Sequence, residues 1–142
     1  MLQSAKEAAQ QEAQRLNVKA PKILAVTILT SLDEGAIREV GYQADVSERV
    51  VQLAKLAKDS GMAGVVCSSH EIEAVREACG PDFVLMVPGI RPAGSDVGDQ
   101  KRIMTPADAV QKGATHLVIG RPITKSDDPG QTARDIIASV AA

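Results

Sequence analysis

Two short segments of the chain place a glycine and an arginine directly after an apolar run. They are PGIRP at residues 88–92 and GRPI at residues 120–123. Glycine lets the backbone approach a ligand closely, and arginine carries a planar fork of donors that suits phosphate. We therefore expect Arg91, Gly120 and Arg121 to bind a phosphate group. Taken alone, either arginine could instead be an ordinary surface residue that follows a strand.

Three further polar side chains could contact the same ligand. Gln100 lies in a long polar loop after Arg91, and its amide can donate a hydrogen bond without adding charge. Thr30 and Ser31 end an earlier apolar run, where their hydroxyls could bond the amide edge of a heterocycle. The alternatives are a solvated glutamine, and a turn in which both hydroxyls bond the nearby backbone.

Residues that often bind metals give little signal. His70, His116, Cys67 and Cys79 do not have the spacing of a metal or redox site. The acidic residues at 96 and 99 resemble half of a calcium loop but lack its remainder. We predict no metal site from these residues.

Predicted strands and helices alternate along the chain, and they must position these residues. Nearly continuous apolar runs predict strands that are buried on both faces, at residues 23–29, 64–67, 83–87 and 116–119. One helix is predicted by the composition of residues 2–16. The other helices are predicted by cap residues at their starts, which are Ser47, Ser68, Thr105 and Asp128. A capping box is predicted between Ser68 and Glu71, and a polar loop between the first strand and Ser47.

Strands separated by helices predict an α/β fold with a parallel sheet and right-handed crossovers. The sequence has no linker or internal repeat, so residues 1–142 are expected to form a single domain. Four strands could form a small open sheet or half of an eight-stranded barrel. The two phosphate-type loops favour the barrel, because loops after its last two strands commonly bind phosphate.

The composition excludes several classes of function. Hydrophobic residues make up 44% and charged residues 24%, which indicates a globular protein. The net charge of −2 gives no support for a nucleic-acid or anionic-membrane partner, and 1% aromatic residues is too few for a base-stacking surface. We predict a cytoplasmic protein without a nucleic-acid or membrane partner.

Five segments together resemble the bacterial long-loop branch of the orotidine 5′-phosphate decarboxylase family. In order and spacing they are residues 25–31, 64–68, 88–92, 98–106 and 118–123. The resemblance implies a (β/α)8 TIM barrel that acts as a homodimer without a cofactor. It implies a lyase that converts orotidine 5′-monophosphate to uridine 5′-monophosphate in pyrimidine biosynthesis. Arg91, Gln100, Gly120 and Arg121 resemble its phosphate contacts, and Thr30 and Ser31 resemble its substrate and pyrimidine contacts.

One part of the family pattern is missing. The family decarboxylates with a lysine–aspartate network that comes largely from an Asp-x-Lys-x-x-Asp segment, and no such segment occurs in these 142 residues. The resemblance therefore implies the C-terminal half of the barrel, from helix 4 to helix 8 with strands 5–8. We expect the catalytic network to lie upstream of Met1, and no catalytic residue to lie within the chain.

Two consequences follow from this expectation. The chain alone is expected to be inactive, and the open edges of a half-barrel are expected to favour self-association. The alternatives are a non-catalytic phosphate-binding half-barrel module and a different phosphate-handling barrel enzyme.

Overall fold

The fold is built on a four-stranded parallel sheet. The computed structural model describes residues 1–43, 45–93 and 102–141. The strands are β1 (Leu24–Val26), β2 (Gly64–Val66), β3 (Val84–Val87) and β4 (His116–Leu117), and they lie in the order β1-β2-β3-β4. Every neighbouring pair is parallel. The predicted α/β class and parallel sheet are confirmed.

Helices connect the strands. They are α1 (Leu2–Leu16), α2 (Glu34–Glu39), α3 (Val46–Asp59), α4 (Ile72–Cys79), α5 (Pro106–Gln111), α6 (Arg121–Thr124) and α7 (Pro129–Val140), with a single 3-10 turn at Ser69–Glu71 among the described residues. Two predicted starts are confirmed by their caps. The Thr105 hydroxyl accepts from the Asp108 N–H at the start of α5, and the Asp128 carboxylate accepts from the Gln131 N–H at the start of α7.

Three local expectations are wrong. The predicted polar loop after the first strand contains α2, because Asp33 caps the Ala36 N–H and Ile37 is buried against the core. Helix α3 begins at Val46 rather than Ser47, with Asp45 as its cap. No capping box forms at Ser68: its hydroxyl accepts from the His70 N–H, and the Glu71 carboxylate bonds elsewhere.

The strands are shorter than predicted and are not buried on both faces. Side chains alternate between the two faces of a strand, and Val65 and Leu85 face the helices with no exposed surface. Across the sheet, Val26, Val66, Met86 and His116 form one row of paired residues on the other face. Val26 is 61% exposed, so the helical layer covers one face and leaves this part of the other face open.

The core lies between the sheet and helices α3 and α4. Val50 and Ala54 of α3 and Val75 of α4 are fully buried in the same cluster as Val65 and Leu85. β2 and β3 approach each other closely at residue 64, a glycine, where a Cβ atom would lie 2.1 Å from the carbonyl oxygen of residue 84. This packing fixes the strand ends that carry the candidate site.

Candidate functional site

The candidate site residues follow the carboxyl ends of the strands. Because the strands are parallel, their carboxyl ends lie along one edge of the sheet. β3 and β4 are neighbours, and the Val118 N–H donates to the Val87 carbonyl at 2.9 Å where the two strands end. The segments that carry Arg91 and Arg121 therefore leave the sheet side by side.

Arg91 is held in a buried position after β3. It is 6% exposed, and its Nη1 donates to the carbonyl of Ile90 at 2.9 Å. Its backbone N–H donates to the carbonyl of Met104 at 3.0 Å, within a parallel bridge between Ile90 and Met104. Burial of an arginine is costly unless its donors are bonded, and these two bonds hold Arg91 in place after β3.

Gly120 and Arg121 lie at the start of α6, directly after β4. The Gly120 carbonyl accepts from the N–H groups of Ile123 and Thr124, at 2.9 and 3.1 Å. Arg121 is exposed, and a Cβ atom at Gly120 would meet nothing within 4 Å among the described residues. This open backbone beside an exposed guanidinium leaves room for an anion.

The start of α7 does not offer a second anion site. The backbone N–H groups that begin a helix can in general hold an anion. The carboxylate of Asp128 instead caps this helix by accepting from the Gln131 N–H at 2.8 Å. An anion placed there would face a negative charge, so the candidate donors are Gly120 and Arg121.

Thr30 and Ser31 lie in a turn after β1. The Leu32 N–H donates to the Leu29 carbonyl at 3.0 Å and closes the turn around them. Thr30 is 7% exposed and Ser31 is half-buried. The bond that closes the turn is a backbone bond, and both residues lie beyond the end of β1, so binding of a ligand by their hydroxyls stays a prediction. Gln100, the remaining candidate, lies outside the described residues.

Met1 is not one of the candidate site residues. The catalytic network of the family was expected upstream of it. Met1 precedes α1 and is 99% exposed. Its carbonyl accepts from the Ala5 N–H at 3.0 Å, which begins the hydrogen bonding of the helix. The expected position of the network upstream of Met1 stays a prediction.

Sequence reasoning missed a buried ion pair beside this edge. Nη1 of Arg102 lies 2.5 Å from Oε1 of Glu71, and both side chains are almost fully buried. Nη2 of Arg102 also donates to the Leu29 carbonyl at 3.0 Å. Arg102 belongs to one of the segments that carry the family resemblance. No periodic signal links it to Glu71, which precedes it by 31 residues.

Burial also changes one thiol close to this edge. Cys67 follows β2 and is 1% exposed. Burial, with a smaller contribution from the negative charge of Glu71, raises the pKa of Cys67 to about 12. The thiol is therefore protonated at neutral pH and is not a ready nucleophile.

The described residues show neither a cluster of metal-binding side chains nor a membrane-spanning helix. No three side chains of the metal-binding types cluster within the described ranges. In the same part of the chain, no helix is both long enough and apolar enough to cross a membrane.

The chain is similar in sequence to a known family over almost its whole length. A profile of the orotidine 5′-phosphate decarboxylase / HUMPS family matches residues 1–136. The chain belongs to this family. The orotidine 5′-phosphate decarboxylase of Moorella thermoacetica is 57% identical over 141 residues, covering 99% of this chain and 56% of that protein. That of Paramagnetospirillum magneticum is 54% identical over 140 residues, covering 99% and 60%.

The fold agrees as well. The crystal structure of orotidine 5′-phosphate decarboxylase from Lactobacillus acidophilus matches with a TM-score of 0.82 and 37% identity, covering 100% of this chain and 58% of that one. The chain thus spans a little over half the length of the relatives it matches. A four-stranded parallel sheet over this share of the structure confirms the predicted half of a TIM barrel.

Proposed function

We propose that the chain carries the phosphate- and pyrimidine-binding half of an orotidine 5′-phosphate decarboxylase. In this proposal Arg91, Gly120 and Arg121 bind the phosphate of orotidine 5′-monophosphate, together with Gln100. Thr30 and Ser31 bind the pyrimidine. The observation that supports it best is the placement of Arg91 and Arg121 after adjacent parallel strands, at the same edge of the sheet as the turn at residues 30–31.

The phosphate lies away from the bond that breaks, yet binding it can contribute to the rate. Binding energy from a remote group can offset the cost of orienting and desolvating the reacting part of a substrate. Arg91 suits this role because it is already buried and held by its backbone and side-chain bonds. Less ordering of the arginine is then needed when the phosphate arrives.

The residues that perform the decarboxylation lie upstream of Met1 in this proposal. The family resemblance assigns that step to a lysine–aspartate network, and the Asp-x-Lys-x-x-Asp segment does not occur in the 142 residues. We propose that residues 1–142 form one folding unit, equivalent to helix 4 through helix 8 of the barrel. The product of the complete enzyme would be uridine 5′-monophosphate.

We further propose that this unit associates through its sheet. The row formed by Val26, Val66, Met86 and His116 is the more exposed face, and β1 and β4 are the edge strands. Unpaired edges and exposed apolar surface favour pairing with another chain. Two copies related by a two-fold axis along the strands would place each β4 beside the other β1, all parallel.

A chimera tests the proposed activity. The matching stretch of the Moorella thermoacetica enzyme is replaced by this chain, and formation of uridine 5′-monophosphate from orotidine 5′-monophosphate is measured. We expect turnover by the chimera and none by the 142-residue chain alone. General acid–base groups, of the kind that the proposal places outside the chain, contribute about 10²–10⁴-fold to a rate.

Two outcomes would change the proposal. A chimera that unfolds cooperatively but does not turn over would favour the alternative, a phosphate-binding module without a catalytic role. Turnover by the chain alone would refute the assignment of catalysis to residues outside it. Loss of that turnover in an Arg121→Ala variant would exclude a contaminating enzyme.

A further inference from the structure

The buried ion pair connects the two parts of the candidate site. Arg102 uses different nitrogens for its two bonds: Nη1 to Oε1 of Glu71 at 2.5 Å, and Nη2 to the Leu29 carbonyl at 3.0 Å. Glu71 lies in the 3-10 turn after β2, and Leu29 follows β1. One guanidinium therefore bridges the segments that follow two neighbouring strands.

The Leu29 carbonyl is the fixed point of the Thr30–Ser31 turn. It accepts from the Leu32 N–H, which closes the turn, and from Arg102, which ties the turn to the rest of the edge. β1 ends at Val26, so within the described ranges no strand pairing holds the backbone at Leu29. Arg102 supplies a bond there that the sheet does not.

The same short segment also holds Arg91. Two residues after Arg102, the Met104 carbonyl accepts from the Arg91 N–H at 3.0 Å, and Met104 forms a bridge with Ile90. Residues 102–104 therefore contact the candidate pyrimidine turn at one end and the candidate phosphate arginine at the other. This segment therefore links the two candidate binding elements by hydrogen bonds.

Stability alone does not explain the pair. Removing two charges from water is costly, and a buried ion pair is often no more stable than apolar residues of similar size. Oε2 of Glu71 and Nε of Arg102 are buried without a hydrogen-bond partner among the described residues, so the pair is incompletely compensated. Buried polar groups of this kind can instead fix one arrangement of the chain.

We propose that Arg102, oriented by Glu71, is a positioning residue that fixes the Thr30–Ser31 turn relative to Arg91. The effect of Arg102 on ligand binding rests on the proposed function. Its hydrogen bonds to Glu71 and to the Leu29 carbonyl are present in the chain without a ligand. Lysine could keep the charge opposite Glu71. Its compact ammonium lacks the planar fork that reaches both the Glu71 carboxylate and the Leu29 carbonyl oxygen. Arg102→Lys is therefore the informative variant.

The first measurement needs no ligand. Amide hydrogen exchange of the ¹⁵N-labelled chain is compared between the natural sequence and Arg102→Lys. We expect the Leu32 amide, which bonds Leu29, to exchange about tenfold faster in the variant, because local opening becomes easier. The Cys67 amide, which donates to Met86 between β2 and β3, should be unchanged.

The second measurement separates positioning from a general structural role. Dissociation constants are measured for uridine 5′-monophosphate and for ribose 5-phosphate, which lacks the pyrimidine. We expect Arg102→Lys to reduce the preference for the nucleotide by about tenfold, which corresponds to about 1.4 kcal/mol. Affinity for ribose 5-phosphate should stay within about twofold. Glu71→Gln keeps an acceptor for Arg102 and should retain most of the preference.

A matched control comes from the exposed ion pair between Lys112 and Glu73, which joins the end of α5 to α4. Lys112→Gln should leave both readouts unchanged. An unchanged Leu32 amide in Arg102→Lys, or equal weakening of both ligands, would overturn the positioning role. If Thr30→Ala and Ser31→Ala leave nucleotide affinity unchanged, the proposed pyrimidine site fails instead, and hydrogen exchange still decides whether Arg102 holds the turn.

Discussion

Val26 lies opposite Val66 in the β1–β2 ladder, on the face of the sheet that turns away from the buried Val65. Met86 and His116 continue this row across β3 and β4. At each strand the residue in the row is more exposed than its neighbour on the helical face. In a complete barrel such a row faces the interior, where side chains fill the space. In the 142-residue chain Val26 of this row is 61% exposed, and Val66 and Met86 are half-buried.

We predict that the purified chain self-associates or is poorly soluble. Sedimentation velocity over a range of concentrations should show species larger than the monomer. Val26→Lys should shift the distribution towards the monomer, because a charge on the row opposes its burial. Val40→Lys is the control, since Val40 is similarly exposed and lies at the end of α2 rather than in a strand. A monodisperse monomer at all concentrations would contradict the association proposed for the open half-barrel.

We predict that Gly64→Ala destabilises the fold. The added Cβ would lie 2.1 Å from the Val84 carbonyl oxygen and 2.5 Å from the Val84 Cβ, so β2 and β3 would have to separate. Overpacking of this kind costs about 1–3 kcal/mol. Urea denaturation should show the loss as a lower free energy of unfolding.

The matched control for this prediction is Gly35→Ala in α2. The new Cβ there meets only the Asp33 carboxylate, at an ordinary 3.4 Å. Alanine favours a helix over glycine, so the free energy of unfolding should stay equal or rise by up to about 1 kcal/mol. Equal stability of Gly64→Ala and the natural chain would show that the two strands do not pack as closely as described.

We predict that Cys67 makes stability fall at alkaline pH. Burial raises the pKa of the thiol to about 12, whereas in the unfolded chain it ionises near its ordinary value of 9. Below about pH 9 both states keep the proton and the contribution is constant. Between about pH 9 and 12 the unfolded state loses the proton first, which favours unfolding by up to about 1.4 kcal/mol per pH unit.

Cys67→Ala isolates this contribution from other groups that titrate at high pH. The difference in free energy of unfolding between the natural chain and the variant is measured by urea denaturation at about pH 7.5 and about pH 10, on either side of the thiol's unfolded pKa. We expect the natural chain to lose its advantage, or to fall below the variant, at the higher pH. A difference that does not depend on pH would show that the thiol is accessible to water.

The parts of the fold that local chemistry determines were predictable from the sequence. Thr105 and Asp128 begin helices as expected, because a cap bonds N–H groups only a few residues away. The parallel order of the strands also followed from their alternation with helices. Strand length was overestimated because an apolar run such as residues 23–29 shows which residues avoid water and not how many find a pairing partner.

The candidate site was predictable in part for the same reason. Arg91 and Arg121 became candidates because each lies within a compact motif after a strand, and their placement after neighbouring strands follows from the topology. Glu71 was assigned to a local cap because Ser68 lies three residues before it. Its actual partner, Arg102, is distant in sequence, and only the folded chain brings the two together.

The most direct test of the account is whether Arg121 binds the phosphate of the nucleotide. Binding of uridine 5′-monophosphate and of uridine, which lacks the phosphate, is measured by NMR titration of the chain and of Arg121→Ala. Arg15→Ala is the control, because Arg15 is an exposed arginine at the end of α1, before β1 begins. A charge-assisted pair is worth about 1.5–3 kcal/mol, so Arg121→Ala should weaken nucleotide binding by at least about tenfold and leave uridine binding unchanged. Equal loss of affinity for uridine and for its monophosphate would contradict the account.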